Sequence, residues 1–204
     1  MRQKGRGTAA ARSVDERRRL VAARALRLFA RLGFDKVSLQ DIARSTGVPR
    51  TALYRYYRTK REIFDGAISG VLSEMKSGIN ATLAKAEPAP DRLIEVCDQV
   101  VDRLFAQRDF LLAIFNFALS MVRVGEDMSE RVAGFTGGLV RAFNRLISEG
   151  MADGSFRRTV DPSVYAELLF ELMESQAFNI VLELEKDASA ARRRFRAAVS
   201  AISS

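Results

Sequence analysis

Residues 38–57, SLQDIARSTGVPRTALYRYY, predict two short helices that are joined by a tight turn. Ser38 suits the N-cap of the first helix, and Asp41, three residues later, completes a relative of the capping box. Gly47 predicts the end of this helix, because glycine is the usual residue just past a helix C-terminus. Pro49 fits the first turn of the second helix. Two short helices with a glycine-containing turn between them form a helix-turn-helix.

The second of these helices, expected to end at about Tyr57, has two different faces. Leu53 and Tyr57 lie one helical turn apart and, together with Val48, are expected to close a small core. The other face carries four polar side chains: Arg50, Thr51, Tyr54 and Arg55. Arginine can read a guanine edge, threonine can touch a thymine methyl group, and a tyrosine hydroxyl can donate to a phosphate. We therefore expect this helix to lie in the major groove of double-stranded DNA.

The charge distribution also points to a polyanionic partner. Residues 1–60 contain 16 lysines and arginines but 4 aspartates and glutamates, whereas residues 61–204 contain 17 and 21. A basic front end joined to a mildly acidic remainder is typical of nucleic-acid binding, although a solvated basic surface would look the same. Residues 1–13 are expected to form a flexible basic arm, which either enters a minor groove or remains a solvated tail.

Apolar spacing predicts helices along the rest of the chain and no strands. The first helix should cover Val14 to Leu32. The fourth should run from Lys60 to about Leu83, because Thr59 and Glu62 have the spacing of a capping box at its start. Further helices are predicted at about 91–106, 108–122, 127–149, 162–185 and 188–202. The expected fold class is therefore all-α, with a three-helix N-terminal head and a larger helical body. The predicted domains are the arm 1–13, the DNA-binding domain 14–60 and the body 61–204.

The composition narrows the chemistry that the chain can perform. It has no histidine and one cysteine, Cys97, which excludes an internal disulfide and removes the commonest general base and metal ligand. We expect no cofactor, no metal site and no enzymatic activity, since Glu171 and Glu174 share a helix face without other groups to assist them. No run reaches the ~18 apolar residues that a membrane span needs. A cytoplasmic protein without membrane contact is the expectation.

Residues 17–64 resemble the DNA-binding head of the TetR family of bacterial transcriptional regulators. The matching stretch, residues 21–64, is VAARALRLFARLGFDKVSLQDIARSTGVPRTALYRYYRTKREIF. The pairs Ile42-Ala43, Gly47-Val48 and Leu53-Tyr54 fall in register with the family pattern. The resemblance implies a homodimer whose heads insert their third helices into the major groove of a pseudo-palindromic operator. It also implies a C-terminal body that senses a small-molecule effector and dimerises.

The resemblance also carries roles to individual positions. It implies groove and backbone contacts for Arg50, Thr51, Tyr54 and Arg55. It implies a phosphate contact for Lys60 and a backbone contact for Ser38, whose alternative role is that of a helix cap alone. Pro49 stands where the family often has serine, and Thr51 stands where it often has glycine. These departures bear on sequence specificity and not on the mode of binding.

The body contains the expected ligand site and dimer interface. Gly134, Gly137 and Gly138 lie inside a predicted helix, where each costs about 1 kcal/mol relative to alanine, so they indicate a bend or a close approach near a cavity. A small apolar or aromatic ligand is expected near Phe105, Phe115, Phe143 and Met173. The helix near 162–185 is apolar on several faces, and the last helix has a matching stripe. The resemblance implies that these last two helices form the homodimer interface.

The predicted function is a sequence-specific DNA-binding transcriptional regulator, a repressor that a small apolar or aromatic ligand releases from its operator. The alternative is an apolar-ligand carrier or helical interaction protein whose basic head is incidental. The two differ in operator preference, because the alternative predicts none.

Overall fold

The computed structural model describes the backbone of residues 4–127 and 129–204, and the side chains of residues 14–127, 134 and 136–204. Within these residues the chain forms nine α-helices and no strand, which confirms the all-α fold class. The helices are α1 Lys4–Leu32, α2 Leu39–Thr46, α3 Arg50–Leu53, α4 Lys60–Leu83, α5 Ala89–Ala106, α6 Arg108–Arg123, α7 Ser129–Asp153, α8 Pro162–Val181 and α9 Ala188–Ile202. An isolated antiparallel bridge joins Phe156 to Ser203.

Helix α1 begins earlier than the apolar pattern predicted. It starts at Lys4 and not at Val14. Residues 8–12, TAAAR, include three alanines and an arginine, which favour helix without supplying an apolar stripe. The side chains of residues 1–13 lie outside the described residues, so the flexible basic arm stays a prediction.

Helix α3 is shorter than predicted and ends at Leu53, not near Tyr57. The backbone N–H of Arg55 donates to the carbonyl of Ala52 at 3.1 Å, and that of Tyr56 donates to Leu53 at 2.8 Å. These i→i−3 hydrogen bonds tighten the last turn. The chain leaves the helix after this tightened turn, and the side chain of Tyr57 is buried.

Helix α8 also ends early, at Val181 and not near residue 185. Glu183 adopts a left-handed conformation with φ 59°. The N–H of Leu184 then donates to the carbonyl of Asn179 at 2.9 Å, which is the six-to-one bond of a Schellman motif. This motif usually has glycine at the left-handed position, so the sequence offered no stop signal there.

The chain divides into two compact units whose boundaries cross the helices. The head unit comprises Met1–Leu72 and Asp109–Glu126, and the body unit comprises Ser73–Arg108 and Asp127–Ser204. Helix α4 therefore contributes its first half to the head unit and its second half to the body unit. Nearly all of α6 belongs to the head unit, although the sequence pattern placed it in the body. The functional division into arm, DNA-binding domain and body stays a prediction.

The core of the head unit is an aromatic cluster. Phe29 and Phe34 face Phe64, with ring centroids 5.6 Å from Phe64 in each case. Phe117 from α6 stacks on Phe64 at 4.2 Å and meets the edge of Phe34 at 4.8 Å. Ile42 and Leu53 are also buried, as the helix-turn-helix pattern predicted. A residue from the middle of the chain thus completes the core of the N-terminal domain.

The body unit is built around α5, which packs against α7 and α9, while α7 packs against α8. Phe156, in the loop between α7 and α8, is fully buried. A Cβ atom on Gly150 would lie 2.3 Å from the Phe156 ring, so this position requires glycine. Buried Arg92 caps the C-terminal end of α4, because its guanidinium donates to the carbonyl of Leu83 at 3.1 Å; it also donates to Glu149 at 2.7 Å.

The helix-interior glycines of α7 do not mark a close approach. A Cβ atom on Gly134 or Gly138 would meet no described atom within 4 Å, and one on Gly137 would meet only the side chain of Arg141. These glycines therefore do not indicate a tight contact among the described residues.

Candidate nucleic-acid interface

The face of the helix-turn-helix that was predicted to meet DNA is exposed. Arg50, Thr51, Tyr54 and Arg55 are all exposed, whereas Leu53 and Tyr57 are 1% and 3% exposed. The Nη2 atom of Arg50 donates to the Tyr54 hydroxyl at 3.2 Å, and the guanidinium lies 5.9 Å from the centre of the Tyr54 ring. This pair limits the rotamers of both side chains, so both are held in place on the outer face.

Tyr57 belongs to the core and not to this face. Its hydroxyl donates to the carbonyl of Arg18 at 3.2 Å, and the Arg18 guanidinium lies 4.9 Å from the ring centre. Burial raises the pKa of Tyr57, with a smaller opposing contribution from Arg18. A Cβ atom on Gly66 would lie 2.8 Å from the Tyr57 hydroxyl, so α4 has glycine where this side chain passes.

Ser38 forms the predicted N-cap of α2 as part of a full capping box. The backbone N–H of Asp41 donates to Ser38 Oγ at 3.2 Å, and the Ser38 N–H donates to Asp41 Oδ2 at 3.0 Å. The Ser38 hydroxyl donates to the same carboxylate oxygen at 2.6 Å, and these bonds lower the pKa of Asp41. A serine hydroxyl has one proton to donate. Ser38 can therefore donate to a phosphate from its side chain only by releasing Asp41.

Lys60 begins α4 and fastens the loop that precedes α2. Its ammonium donates to the carbonyl oxygens of Phe34 and Asp35, at 2.7 Å and 3.2 Å. Burial lowers the pKa of Lys60, and the charge of Asp35 raises it by less. An ammonium has three N–H donors, so one is left for a phosphate.

The start of α4 is capped in a way that differs slightly from the predicted capping box. Thr59 Oγ1 accepts from the N–H of Glu62 at 3.0 Å, as predicted. The Glu62 carboxylate accepts from the N–H of Arg58, at 2.7 Å, and not from that of Thr59. The cap still satisfies two backbone donors at the helix start.

Helix α6 forms hydrogen bonds to α1 and to the loop that precedes α2, which its own sequence pattern did not predict. Asn116 donates to the carbonyl of Ala30 at 3.2 Å, near the end of α1. Ser120 Oγ donates to Oδ1 of Asp35 at 2.5 Å, and just after the end of α6 the Glu126 carboxylate lies 3.0 Å from the Arg61 guanidinium. The partners are 65 to 86 positions apart in the chain. No local pattern could have predicted them.

Comparison with known proteins relates the chain to bacterial regulatory proteins. A family model described as "Bacterial regulatory proteins, tetR family" matches residues 21–67, which hold the helix-turn-helix. The chain is 21% identical over 161 residues to the HTH-type transcriptional repressor DhaR of Mycobacterium sp. (strain GP1), covering 78% of this chain and 80% of that protein. It is 25% identical over 171 residues to the nucleoid occlusion factor SlmA of Haemophilus influenzae (strain PittGG), covering 83% and 78%.

A solved structure of a TetR transcriptional regulator from Chloroflexus aurantiacus J-10-FL has the same fold, with a TM-score of 0.71 and 22% identity, covering 93% of this chain and 95% of that one. The family match covers residues 21–67, and together with the shared fold it supports a TetR-family regulator. The chain is a DNA-binding transcriptional regulator, and the alternative of a carrier with an incidental basic head is not favoured. A match to a family of transcriptional regulators also favours a non-enzymatic role.

The body unit of this regulator contains a cavity of about 330 Å³. Glu74, Gly78 and Ile79 of α4 line one side, and Gln99, Val100 and Arg103 of α5 line the other. The Arg103 guanidinium lies 3.2 Å from the Glu74 carboxylate. The wall is thus part apolar and part charged, which suits a ligand with both kinds of group.

The four predicted ligand contacts do not line this cavity. Phe115 belongs to the head unit, whereas Phe105, Phe143 and Met173 belong to the body unit. Phe143 is fully buried, and Phe105, Phe115 and Met173 are half-buried. Cys97 is buried too, and burial raises the pKa of its thiol far above the ordinary value, as expected for a core residue.

Among the described side chains, no group of three or more His, Cys, Asp or Glu residues is arranged to hold a metal ion. No single described helix is long and apolar enough to cross a membrane, although α5 and α6 meet the same test when they are taken together as a bent pair.

Proposed function

We propose that this regulator is a homodimeric repressor that binds a pseudo-palindromic operator and leaves it when a small effector binds the body. The exposed face of Arg50, Thr51, Tyr54 and Arg55, directly opposite a buried core, is the observation that carries the proposal. The relative DhaR is named a transcriptional repressor, which supports repression as the mode of regulation here.

The contacts with the operator divide into two kinds. Arg50, Thr51 and Tyr54 are placed to meet base edges and the adjacent backbone, because they project from the exposed face of the recognition helix. Arg55 and Lys60 are assigned to phosphates, which position the protein but carry no sequence information. Ser38 is proposed to contact the DNA backbone because it lies at the N-terminus of α2. Its hydroxyl already donates to Asp41, so the contact would not come from that proton.

The proposed dimer interface is the exposed stripe of α8, extended by its C-cap residue Leu182. Val164, Leu168, Phe178 and Leu182 are 53%, 50%, 52% and 49% exposed. Their spacing of 4, 14 and 18 residues from the first places them on one side of an α-helix. A stripe of half-exposed large apolar side chains is typical of a surface that a partner covers. Helix α9 is proposed as the second helix of the same interface, as in the family.

The proposed effector site lies in the body unit. Phe105, Phe143 and Met173 remain the sequence-based proposal for its contacts, whereas Phe115, the fourth predicted contact, belongs to the head unit. The cavity between α4 and α5 adds a second constraint, because four of its lining side chains are Glu74, Gln99, Asp102 and Arg103. An effector that occupies this cavity should therefore carry polar groups as well as an apolar part.

The coupling between effector and DNA is proposed to run along continuous helices. Helix α4 begins at Lys60, beside the proposed DNA contacts, and continues to the residues that line the body cavity. The chain also passes between the two units at residues 108 and 126, so covalent links other than α4 join them as well. An effector that displaces α4 would also displace Lys60, the first residue of this helix, which holds the loop before α2.

The test begins with selection of bound sequences from random duplexes by the full-length protein. A pseudo-palindromic consensus is expected, with half-sites spaced to match two heads. Small molecules are then screened for release of the selected duplex, and a promoter that contains the site is assayed with a reporter. Binding with no sequence preference, or a reporter that the protein activates, would contradict the proposal.

A further inference from the structure

The head unit contains a second concave surface that none of the predicted DNA contacts lines. This groove, of about 590 Å³, lies between α1, the end of α2 and the start of α6. Its lining includes Arg24, Arg27, Leu28 and Arg31 of α1, together with Asp109 and Leu112 of α6. A volume of this size is within the range of small-molecule sites.

The groove carries a row of arginines. Arg24, Arg27 and Arg31 are exposed and occupy positions i, i+3 and i+7 of α1, which places them on one side of the helix. Their Cα atoms span about 10 Å along the helix axis, since each residue adds ~1.5 Å. With the carboxylate of Asp109 opposite, the groove has an excess of two positive charges. Arginine binds phosphate through two parallel hydrogen bonds, so phosphate is the group that this row fits best.

Two other features of the groove narrow the chemical class of the ligand. Leu28 and Leu112 are half-buried and form an apolar floor on which a flat ring can lie. Asp109 would repel a ligand that carried only negative groups, whereas it would accept hydrogen bonds from hydroxyl or amino groups. A molecule that combines phosphate, hydroxyl groups and a flat base is a nucleoside phosphate.

The groove is connected to the helix-turn-helix. Arg24 Nη1 donates to the carbonyl of Ser45 at 2.7 Å, and Ser45 lies two residues before the left-handed Gly47 of the turn. A phosphate in the groove would bind the same Arg24 guanidinium that holds the Ser45 carbonyl, and would pull on that hydrogen bond. We propose that this groove is a second effector site, which takes a nucleoside phosphate and acts on the turn that leads to the recognition helix.

The experiment measures binding of ADP to the full-length protein in the absence of DNA, in magnesium-free buffer, by isothermal titration calorimetry. ADP should bind once per chain. Pyrophosphate, which lacks the base, and adenosine, which lacks the phosphates, should each bind at least about tenfold more weakly, because each forfeits one set of contacts. Since no DNA is present, a failure here is separate from a failure of the proposed repressor function.

Matched variants locate the site. The double substitution Arg27→Ala and Arg31→Ala should weaken ADP binding by about tenfold or more, since two charge-assisted contacts are lost. The control, Arg17→Ala with Arg19→Ala, removes two exposed arginines of the same helix that do not line the groove, and should leave ADP affinity unchanged. Circular dichroism of both variants checks that the helices are intact.

Three results would overturn the proposal. The first is no saturable ADP binding by the wild type, and the second is equal weakening by the groove and control variants. The third is a combination: the groove variant loses operator affinity, and the wild type binds no ADP. That combination would mean that Arg27 and Arg31 contact the DNA backbone. ADP that binds as described and lowers operator affinity only in proteins with Arg27 and Arg31 intact would support both the site and its connection to the turn.

Discussion

The ammonium nitrogen of Lys60 lies 2.7 Å from the carbonyl oxygen of Phe34 and 4.4 Å from the centre of its ring. Two interactions therefore join the first residue of α4 to the loop that precedes α2. The proposed phosphate contact of Lys60 uses the same ammonium group. A substitution at this position should consequently change two measurable quantities, the stability of the head and its affinity for DNA.

Lys60→Met keeps an unbranched side chain over the Phe34 ring but removes the donors and the charge. We expect the free energy of unfolding to fall by about 1–2 kcal/mol, because two carbonyls lose a charged donor. Affinity for every DNA sequence should fall, and the plot of log affinity against log salt should become shallower by about one unit, as for one lost phosphate contact. Urea unfolding and anisotropy titrations at several salt concentrations measure the two effects. An unchanged salt slope would show that Lys60 acts only within the protein.

Arg50→Ala tests base reading, because Arg50 is held on the exposed face by the Tyr54 hydroxyl. The variant should lose preference at one position of each half-site, at a cost of about 1–3 kcal/mol for the preferred base. The matched control is Arg44→Ala on α2, since the Arg44 side chain is 76% exposed and is not among the predicted contacts. Affinities are measured for duplexes with each base at each half-site position. Equal losses on specific and random duplexes would remove Arg50 from the list of base-reading residues.

The Ser38–Asp41 capping box makes the stability of α2 depend on pH. Hydrogen bonds from Ser38 lower the pKa of Asp41 below its ordinary value of 3.8. A carboxyl with a lowered folded-state pKa contributes stability above its unfolded pKa and loses it as the pH falls through the folded value. Ser38→Ala should therefore be less stable than the wild type at neutral pH, and the difference should shrink below about pH 4. Urea unfolding at a series of pH values measures this difference, and NMR titration of Asp41 should show a higher pKa in the variant.

The helix-turn-helix was predictable because its signals are local. Ser38, Asp41 and Gly47 are capping residues that act within a few positions, and the alternation of Leu53 with Arg50 and Tyr54 follows the helical period. The role of α6 was not predictable, because Phe117 and Ser120 reach the head from far along the chain. Their own spacing shows an apolar helix but does not show which core that helix completes. The Schellman motif that ends α8 was not predictable for a different reason. Its left-handed position is occupied by Glu183 and not by the usual glycine.

Leu168→Arg tests the proposed dimer interface without disturbing the fold of the single chain. Leu168 is 50% exposed, so an arginine there can reach water in a monomer but would be buried without a partner in a dimer. We expect the variant to sediment as a monomer at micromolar concentration, with circular dichroism unchanged. The matched control is Val122→Arg on α6, where the side chain is 65% exposed and lies outside the proposed interface. A wild-type protein that is itself monomeric, or two variants that behave alike, would contradict the assignment.

Gly78→Leu tests whether the cavity between α4 and α5 is an effector site. A Cβ atom at Gly78 would already lie 3.3 Å from Gln99 Oε1, so a leucine side chain would occupy part of the cavity. We expect ligands that release the wild type from DNA to bind this variant at least about tenfold more weakly, while operator affinity changes little, because the ligand and the side chain compete for one volume. Gly138→Leu is the control, since it makes the same change inside α7, where a Cβ atom meets no described atom within 4 Å.

Each ligand is titrated into both variants with and without operator DNA. In the wild type, DNA should weaken ligand binding by the same factor by which ligand weakens DNA binding, on the order of five- to a hundredfold. Ligand affinity that is equal with and without DNA would mean that the cavity binds the molecule but does not control release.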